Sequence, residues 1–146
     1  MARSNRISIM EREVITRGDD KLYLLRFILF KCPLFGVFIH QFHADDDACT
    51  HNHPWPFLTL IIRSGYWEYV GKSSDPEVQA RGFHWRKPWR LYWRPASWAH
   101  RIICDKQKPK PMTIVFVGTK VQGWGFFDKL GQFIPWRQYE HAKHCE

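Results

Sequence analysis

The chain has 146 residues, 45% of them hydrophobic, which excludes a disordered polymer and is enough to bury a core without staples. Aromatic residues make up 16%, with 8 Trp and 11 Phe, and favour strands over helices. The net charge of +8 admits an anionic partner, but Lys and Arg are scattered from Arg3 to Lys143 with no block of like charge.

In chain order, residues 1–20 read as a polar leader with room for one strand over residues 6–15, closing at Gly18-Asp19-Asp20. Nothing there has the pattern of a secretory signal. Residues 22–42 are mostly apolar and imitate a membrane span, but they contain Arg26, Lys31, Pro33 and His40, each costly in hydrocarbon. No membrane association is expected. The stretch reads instead as two strands, 22–30 and 35–42, parted at Cys32-Pro33 where a helix would break. Asp45-Asp46-Asp47 lacks the glycine and spaced acidic partners of a cation loop and reads as solvated.

Residues 58–62 have the short, bounded form of a buried strand, and residues 66–70 follow across Ser64-Gly65 like a hairpin partner. Residues 71–77 read as an exposed loop. Two strands follow, 82–86 and 90–94; the second alternates Arg90, Tyr92 and Arg94 with Leu91 and Trp93. Pro95-Ala96-Ser97 turns the chain into 98–104, a polar connector spans 106–111, and 112–117 is the clearest strand. Gly118, Gly123, Gly125 and Gly131 punctuate the remainder, and residues 137–143 suit one short helix. No long segment repeats apolar residues at helical spacing, so the pattern predicts an all-β sandwich or barrel. The organisation expected is the leader, one domain over residues 21–140 and a tail at 141–146.

Cys32, Cys49, Cys104 and Cys145 form no Cys-x-x-Cys and no dense framework, so free thiols in a reducing cytoplasm are expected. Arg81, Arg86, Lys87, Arg90 and Arg94 are threaded among Trp85, Trp89 and Trp93. That mixture suits single-stranded nucleic acid, and equally the exposed faces of amphipathic strands.

The chemistry centres on His51-Asn52-His53-Pro54-Trp55. Two histidines at i, i+2 share one face of an extended chain, and neutral imidazole is the commonest metal ligand. His100 follows a proline turn and opens an apolar strand, which makes it the third ligand candidate. His40 shares a face with Phe38 and Phe42; as a barrel-facing residue it could be a fourth ligand, a general base or a second donor, or simply a satisfied core histidine. Cys104 could be a ligand, a redox-sensitive thiol or a buried inert cysteine. Arg101 should face away from His100 into an ion pair, and Arg63 and Glu68 should make rim salt bridges or reach substrate. His43 has the opposite strand parity to His40, and His84 has no partner at ligand spacing. His141, His144 and Cys145 could hold a metal on a helical terminus, or belong to a frayed tail.

These segments resemble the two signature motifs of the cupin superfamily over about residues 45–105. One runs His-x-His, a glutamate five residues on and a glycine seven beyond that; His51, His53 and Gly65 match it. The other runs Pro-x-Gly-x-x-His-x-x-x-Asn; Pro95 and His100 match it. Leu58 stands at the glutamate position, Ser97 at the motif glycine and Cys104 at the asparagine. A narrower likeness takes in Val37-Phe38-Ile39-His40, Trp124-Gly125-Phe126 and Pro135-Trp136-Arg137, and is to small cupin proteins of bacteria and their phages.

The resemblance implies a cupin-type double-stranded β-helix, a jelly-roll barrel, with a divalent metal on His51, His53 and His100. Without the glutamate, the three-histidine face is similar to that of cupin thiol dioxygenases. It implies a non-haem iron oxygenase of dioxygenase type acting on a small molecule, with Fe(II) favoured and Zn, Mn, Ni or Cu compatible with the same ligands. The alternatives are a metal-dependent sugar isomerase or epimerase, and a non-catalytic module binding nucleic acid or protein through the basic, Trp-rich surface. A homodimer is the expected assembly.

Overall fold

The computed structural model describes residues 6–17 and 20–145, and of His141 and Ala142 only the backbone. Period-two alternation organises it. In β10 (Met112–Val117), Thr113, Val115 and Val117 are buried while Met112, Ile114 and Phe116 turn outward. In β5 (Phe57–Arg63), Phe57, Thr59 and Ile61 are the buried set.

These two strands lie within a six-stranded sheet with β1 (Ser8–Thr16), β2 (Leu22–Lys31), β3 (Gly36–Phe42) and β8 (Leu91–Arg94), in the order β1-β2-β3-β10-β5-β8. The second sheet contains β4 (Thr50–His51), β6 (Tyr66–Val70), β7 (Phe83–Arg86), β9 (His100–Ile103), β11 (Gly125–Phe127) and β12 (Phe133–Pro135). Its order is β12-β11-β4-β9-β6-β7, and the pairings in both sheets are antiparallel.

Leu24, Phe42 and Ile61 from the first sheet pack on Tyr66 and Ile102 from the second, the sheet-on-sheet arrangement of a β-sandwich. A second cluster joins Ile28, Phe38, Phe57, Val115 and Val117 on the inner face of the first sheet. Both clusters border one cavity of about 500 Å³. The all-β double-sheet architecture is therefore the one expected.

Several local expectations are corrected. The 66–70 segment is not the hairpin partner of β5; β5 pairs with β10 and β8, while β6 pairs with β7 and β9 in the other sheet. Ser64 and Gly65, at φ 73° and 115°, carry the chain between sheets. A Cβ at Gly65 would lie 2.6 Å from the Arg86 carbonyl oxygen, so glycine is required twice over. The loop expected at 71–77 runs into α1 (Pro76–Ala80), where the Asp75 side chain accepts from the Glu77 and Val78 amides at 2.8 and 3.2 Å. Asp at the cap and Pro in the first turn are its sequence signature. β4, β11 and β12 have only two or three residues each, too few to show alternation.

The aspartate triplet is not solvated. Asp46, 4% exposed, accepts from the Tyr23 hydroxyl and from the Ile102 amide at 2.7 Å. Asp45 accepts from the Cys104 amide at 2.7 Å, and Asp47 pairs with Arg17 at 3.2 Å. The expected turn at Gly18-Asp19 lies outside the described residues.

At the C-terminal end a 3-10 turn (Trp136–Gln138) precedes α2 (His141–His144), and Cys145 forms a disulfide with Cys49. Cys32 and Cys104 are free. The expectation of four free thiols is thus wrong for two of them, and the compositional argument for a reducing compartment loses its premise. Among the described residues no helix is long and apolar enough to cross a membrane; residues 22–42 form β2 and β3.

Candidate metal centre

His51 closes the two-residue strand β4, where it lies opposite His100 on one side and Phe126 on the other. Asn52 stops the chain from drifting: its amide donates to the Gly125 carbonyl at 3.1 Å and its side chain accepts from the Gly125 amide at 2.9 Å. His53 precedes Pro54, which biases it to extended backbone and ends the strand. Its amide donates to the Ala96 carbonyl at 3.3 Å, and Gln122 Nε2 holds its carbonyl and that of Ala96, both at 2.8 Å.

The result is a triangle. Ring centroids lie 5.1 Å apart for His51 and His53, 4.9 Å for His51 and His100, and 4.9 Å for His53 and His100. One nitrogen from each lies within 4.8 Å of the others. Bonds of about 2.1 Å to a divalent ion need each nitrogen to move inward by less than roughly an ångström.

His100 has the strongest support. Its Nδ1 lies 2.7 Å from Glu68 Oε1, which fixes the proton on Nδ1 and leaves Nε2 as the ligand atom. Glu68 is 1% exposed and also accepts from Arg86 Nε at 2.5 Å, Arg94 Nη2 at 2.7 Å and Trp98 Nε1 at 3.2 Å. Burial pushes the Glu68 carboxyl up, but the His100 hydrogen bond and the Arg94 charge outweigh it and hold the group well below the usual range.

His51 Nδ1 lies 3.9 Å from Asp46 Oδ2. Burial lowers the His51 pKa to about 4 despite the attraction of Asp46. Burial, then the charges of His100 and His51, lower His53 well below its ordinary value. Both rings are therefore neutral at pH 7, the form that binds a cation. His53 Nδ1 is buried without a well-formed hydrogen bond. The neutral rings of His51 and His53, with His100 oriented by Glu68, are a donor set that can hold a divalent metal.

Leu58, the position of the motif glutamate in the resemblance, is not the residue of β5 that faces the triangle. Leu58 turns away from the cavity, between Phe116 and Trp93 on the outer face. The residue on the inner face is Phe57, whose ring lies 4.4 Å from that of His53 and 6.1 Å from that of His100. Strand parity decides this, since one residue of offset reverses the face.

His40 lines the cavity but is not part of the triangle. Its Nε2 accepts from Arg26 Nε at 3.1 Å, and burial with the Arg26 charge lowers its pKa well below the ordinary value. Cys104 does not line the cavity; it packs against the core cluster, its Sγ–H pointing to the Ala44 carbonyl at 3.8 Å. Burial and then Asp45 and Asp46 push its thiol up to about 12, which makes it inert.

Glu68 is no rim residue, and its role at His100 was missed. Arg63 donates to the Lys110 carbonyl at 3.1 Å. Arg101 faces away from the triangle but donates to Gln79 Oε1 at 2.8 Å, not into an ion pair. His43 contacts Lys110 and Gln41 outside the site, and His84 is exposed on β7. His144 Nδ1 meets the Glu140 backbone and Cys145 is in the disulfide, so neither forms a second centre. The side chain of His141 lies outside the described residues. Of the basic cluster, Arg86 and Arg94 are committed to Glu68.

No protein-family model and no curated protein sequence matches the chain. Solved structures do. A cupin-2 domain protein from Rhodospirillum rubrum superimposes with a TM-score of 0.59 at 11% identity, over 88% of this chain and 77% of that one. An RmlC-like cupin from Shewanella frigidimarina NCIMB 400 gives 0.52 at 14% identity, over 77% and 86%. The Fe(II) form of HppE gives 0.56 at 12% identity over 73% of this chain, which spans only 56% of HppE.

Proposed function

From a chain with the cupin fold, we propose a metal-dependent enzyme whose centre is held by His51, His53 and His100. Its chemistry is that of a non-haem iron oxygenase acting on a small organic molecule. The observation that carries this reading is the convergence of three imidazoles, two held neutral by burial, on one side of a cavity of about 500 Å³. Three protein ligands leave coordination positions open, the layout of a reactive rather than a structural centre. The structural likeness to an iron(II) protein supports iron over zinc.

Bound Fe(II) would supply redox chemistry toward dioxygen. The protein's own residues do the rest. Glu68 fixes the His100 ring in one tautomer, and the Arg86 and Arg94 charges keep Glu68 ionised so that it remains an acceptor. Phe57, its ring tilted by 56° against that of His53 with centroids 4.4 Å apart, walls one side of the triangle. Tyr66, Phe126 and Trp55 line the cavity and exclude water from a substrate seated there.

The test is elemental analysis of protein purified without a tag, followed by oxygen uptake with a panel of small substrates. Iron in the wild type, lost in His100→Ala, with iron-dependent uptake is the expected result. Stoichiometric zinc with no iron-dependent uptake overturns the oxygenase. Turnover that persists without oxygen makes the centre a Lewis acid for isomerisation instead.

A further inference from the structure

The inner face of the first sheet carries a row of polar side chains that the histidine triangle does not use. Arg26 on β2 is the cross-strand partner of His40 on β3, and His40 is that of Thr113 on β10. All three line the cavity. Thr113 is 1% exposed and its Oγ1 has no hydrogen-bond partner. A buried hydroxyl is rarely left so, unless a ligand or water completes it.

The other two members also keep donors in hand. Arg26 uses Nε on His40 at 3.1 Å and Nη1 on Glu13 at 3.2 Å, two of the five N–H groups of a guanidinium. Arginine is always protonated, so His40 Nε2 is the acceptor in that bond and the neutral ring carries its proton on Nδ1. The row therefore offers guanidinium N–H, imidazole N–H and hydroxyl O–H across three adjacent strands. Glu13 balances the Arg26 charge from β1 without occupying the other donors.

On the proposed reading of the cavity as a substrate site, we infer that Arg26, His40 and Thr113 form a carboxylate subsite. The site would then take a small carboxylic acid with an apolar body the size of an aromatic ring. The triangle sits on the second sheet, through His51 on β4 and His100 on β9. Packed sheets lie about 10 Å apart, so a molecule of roughly ten to fifteen heavy atoms can place its carboxylate on the row and its reacting carbon at the triangle. Phe38, Phe42, Phe57 and Tyr92 supply the apolar walls between.

Calorimetric titration of the metal-free protein tests this without relying on turnover, using phenylacetate and its uncharged counterpart 2-phenylethanol. The wild type should prefer phenylacetate by about tenfold or more, as charge-assisted hydrogen bonds in a dry site require. Arg26→Met should bring the ratio close to one, and Thr113→Val should lower it several-fold. Near-ultraviolet circular dichroism checks that each variant is folded; if Arg26→Met is not, His40→Gln and Thr113→Val decide. Equal affinities in the wild type, no saturable binding of either probe, or a ratio untouched by these substitutions overturns the subsite. Metal content is a separate readout. A metal-free wild type that keeps the ratio retains the subsite and loses the metal reading, whereas a loaded protein with a ratio of one does the reverse.

Discussion

His100 and His53 point at the same spot with ring centroids 4.9 Å apart, yet they are held by different means. His100 is clamped through Nδ1 by Glu68, itself fixed by Arg86, Arg94 and Trp98 in the buried interior. His53 is positioned through its backbone, by Ala96 and Gln122, and its Nδ1 makes no well-formed hydrogen bond. His51 lies between these extremes, with Asp46 at 3.9 Å, too far for a hydrogen bond. The difference describes a centre with one ligand held by a side-chain clamp and two that lack one. On the proposed reading, the clamped ligand would set where a cation sits.

Breaking the clamp should have the largest effect. Glu68→Ala leaves the buried Arg94 and half-buried Arg86 guanidinium groups, an indole N–H and the His100 Nδ1–H without their acceptor. Removing one partner of a buried charge network costs about 3–5 kcal/mol, and urea denaturation should show a loss of that size. Arg101→Ala, which removes only a hydrogen bond to Gln79, should cost far less.

Acid should come next, because burial holds His51 and His53 neutral in the native state. Burial holds His51 at about 4 in the native state, against 6.5 for the ordinary side chain. Between those values the unfolded chain takes up a proton that the native one refuses. Stability of the metal-free protein therefore falls as pH drops from about 6.5 to 4, by about 3 kcal/mol for this group, and its contribution is constant below that. His53 and His40 are depressed by burial as well and add to the same slope. Glu68 is depressed from 4.5, so its contribution is full above that value and drains away only at lower pH. Thermal melts across pH 4–8 should show the decline beginning near 6.5, where an ordinary surface histidine would give none.

A charge-only change separates the two supports. Glu68→Gln keeps the shape and an acceptor but loses the charge, and should weaken metal binding by about 10- to 100-fold. Asp46→Asn, acting on His51 across 3.9 Å, should weaken it by less than about tenfold. Competition with a coloured chelator measures both. Equal losses would mean that the clamp on His100 is no more important than the loose contact on His51.

The sequence made the centre more legible than the clamp around it. His51 and His53 share a face by local periodicity, and His100 joins them through the resemblance to the second cupin motif, so the triangle was legible from periodicity and resemblance together. Apolar, β-forming runs bounded by breakers likewise marked the long strands β2, β3, β5 and β10. Glu68 reaches His100 across 32 positions, through a crossover between sheets that looked like a hairpin. Without that crossover, Glu68, Arg86 and Arg94 are merely charged residues on amphipathic strands. The strand at 90–94 shows the same blindness: its apolar residues Leu91 and Trp93 are 62% and 61% exposed, while Arg94 is buried. Periodicity gives two faces but does not say which is inner when a buried carboxylate makes the charged face the stable one.

One-residue parity sets the final, smallest test. The resemblance in sequence placed the missing acidic ligand at Leu58, whereas the strand turns Phe57 toward His53 and His100 and leaves Leu58 facing Trp93 and Phe116. A carboxylate at 57 would enter the side of the triangle that now has an aromatic wall and could bind the same cation as a fourth ligand. Phe57→Glu should therefore raise metal retention against a chelator a few-fold, with some loss of stability from the emptied aromatic site. Leu58→Glu should leave retention unchanged, since its side chain is on the opposite face of the sheet. Were Leu58→Glu instead the variant that tightened the metal, the register of β5 would be one residue out, and with it the whole assignment of which residues face the cavity.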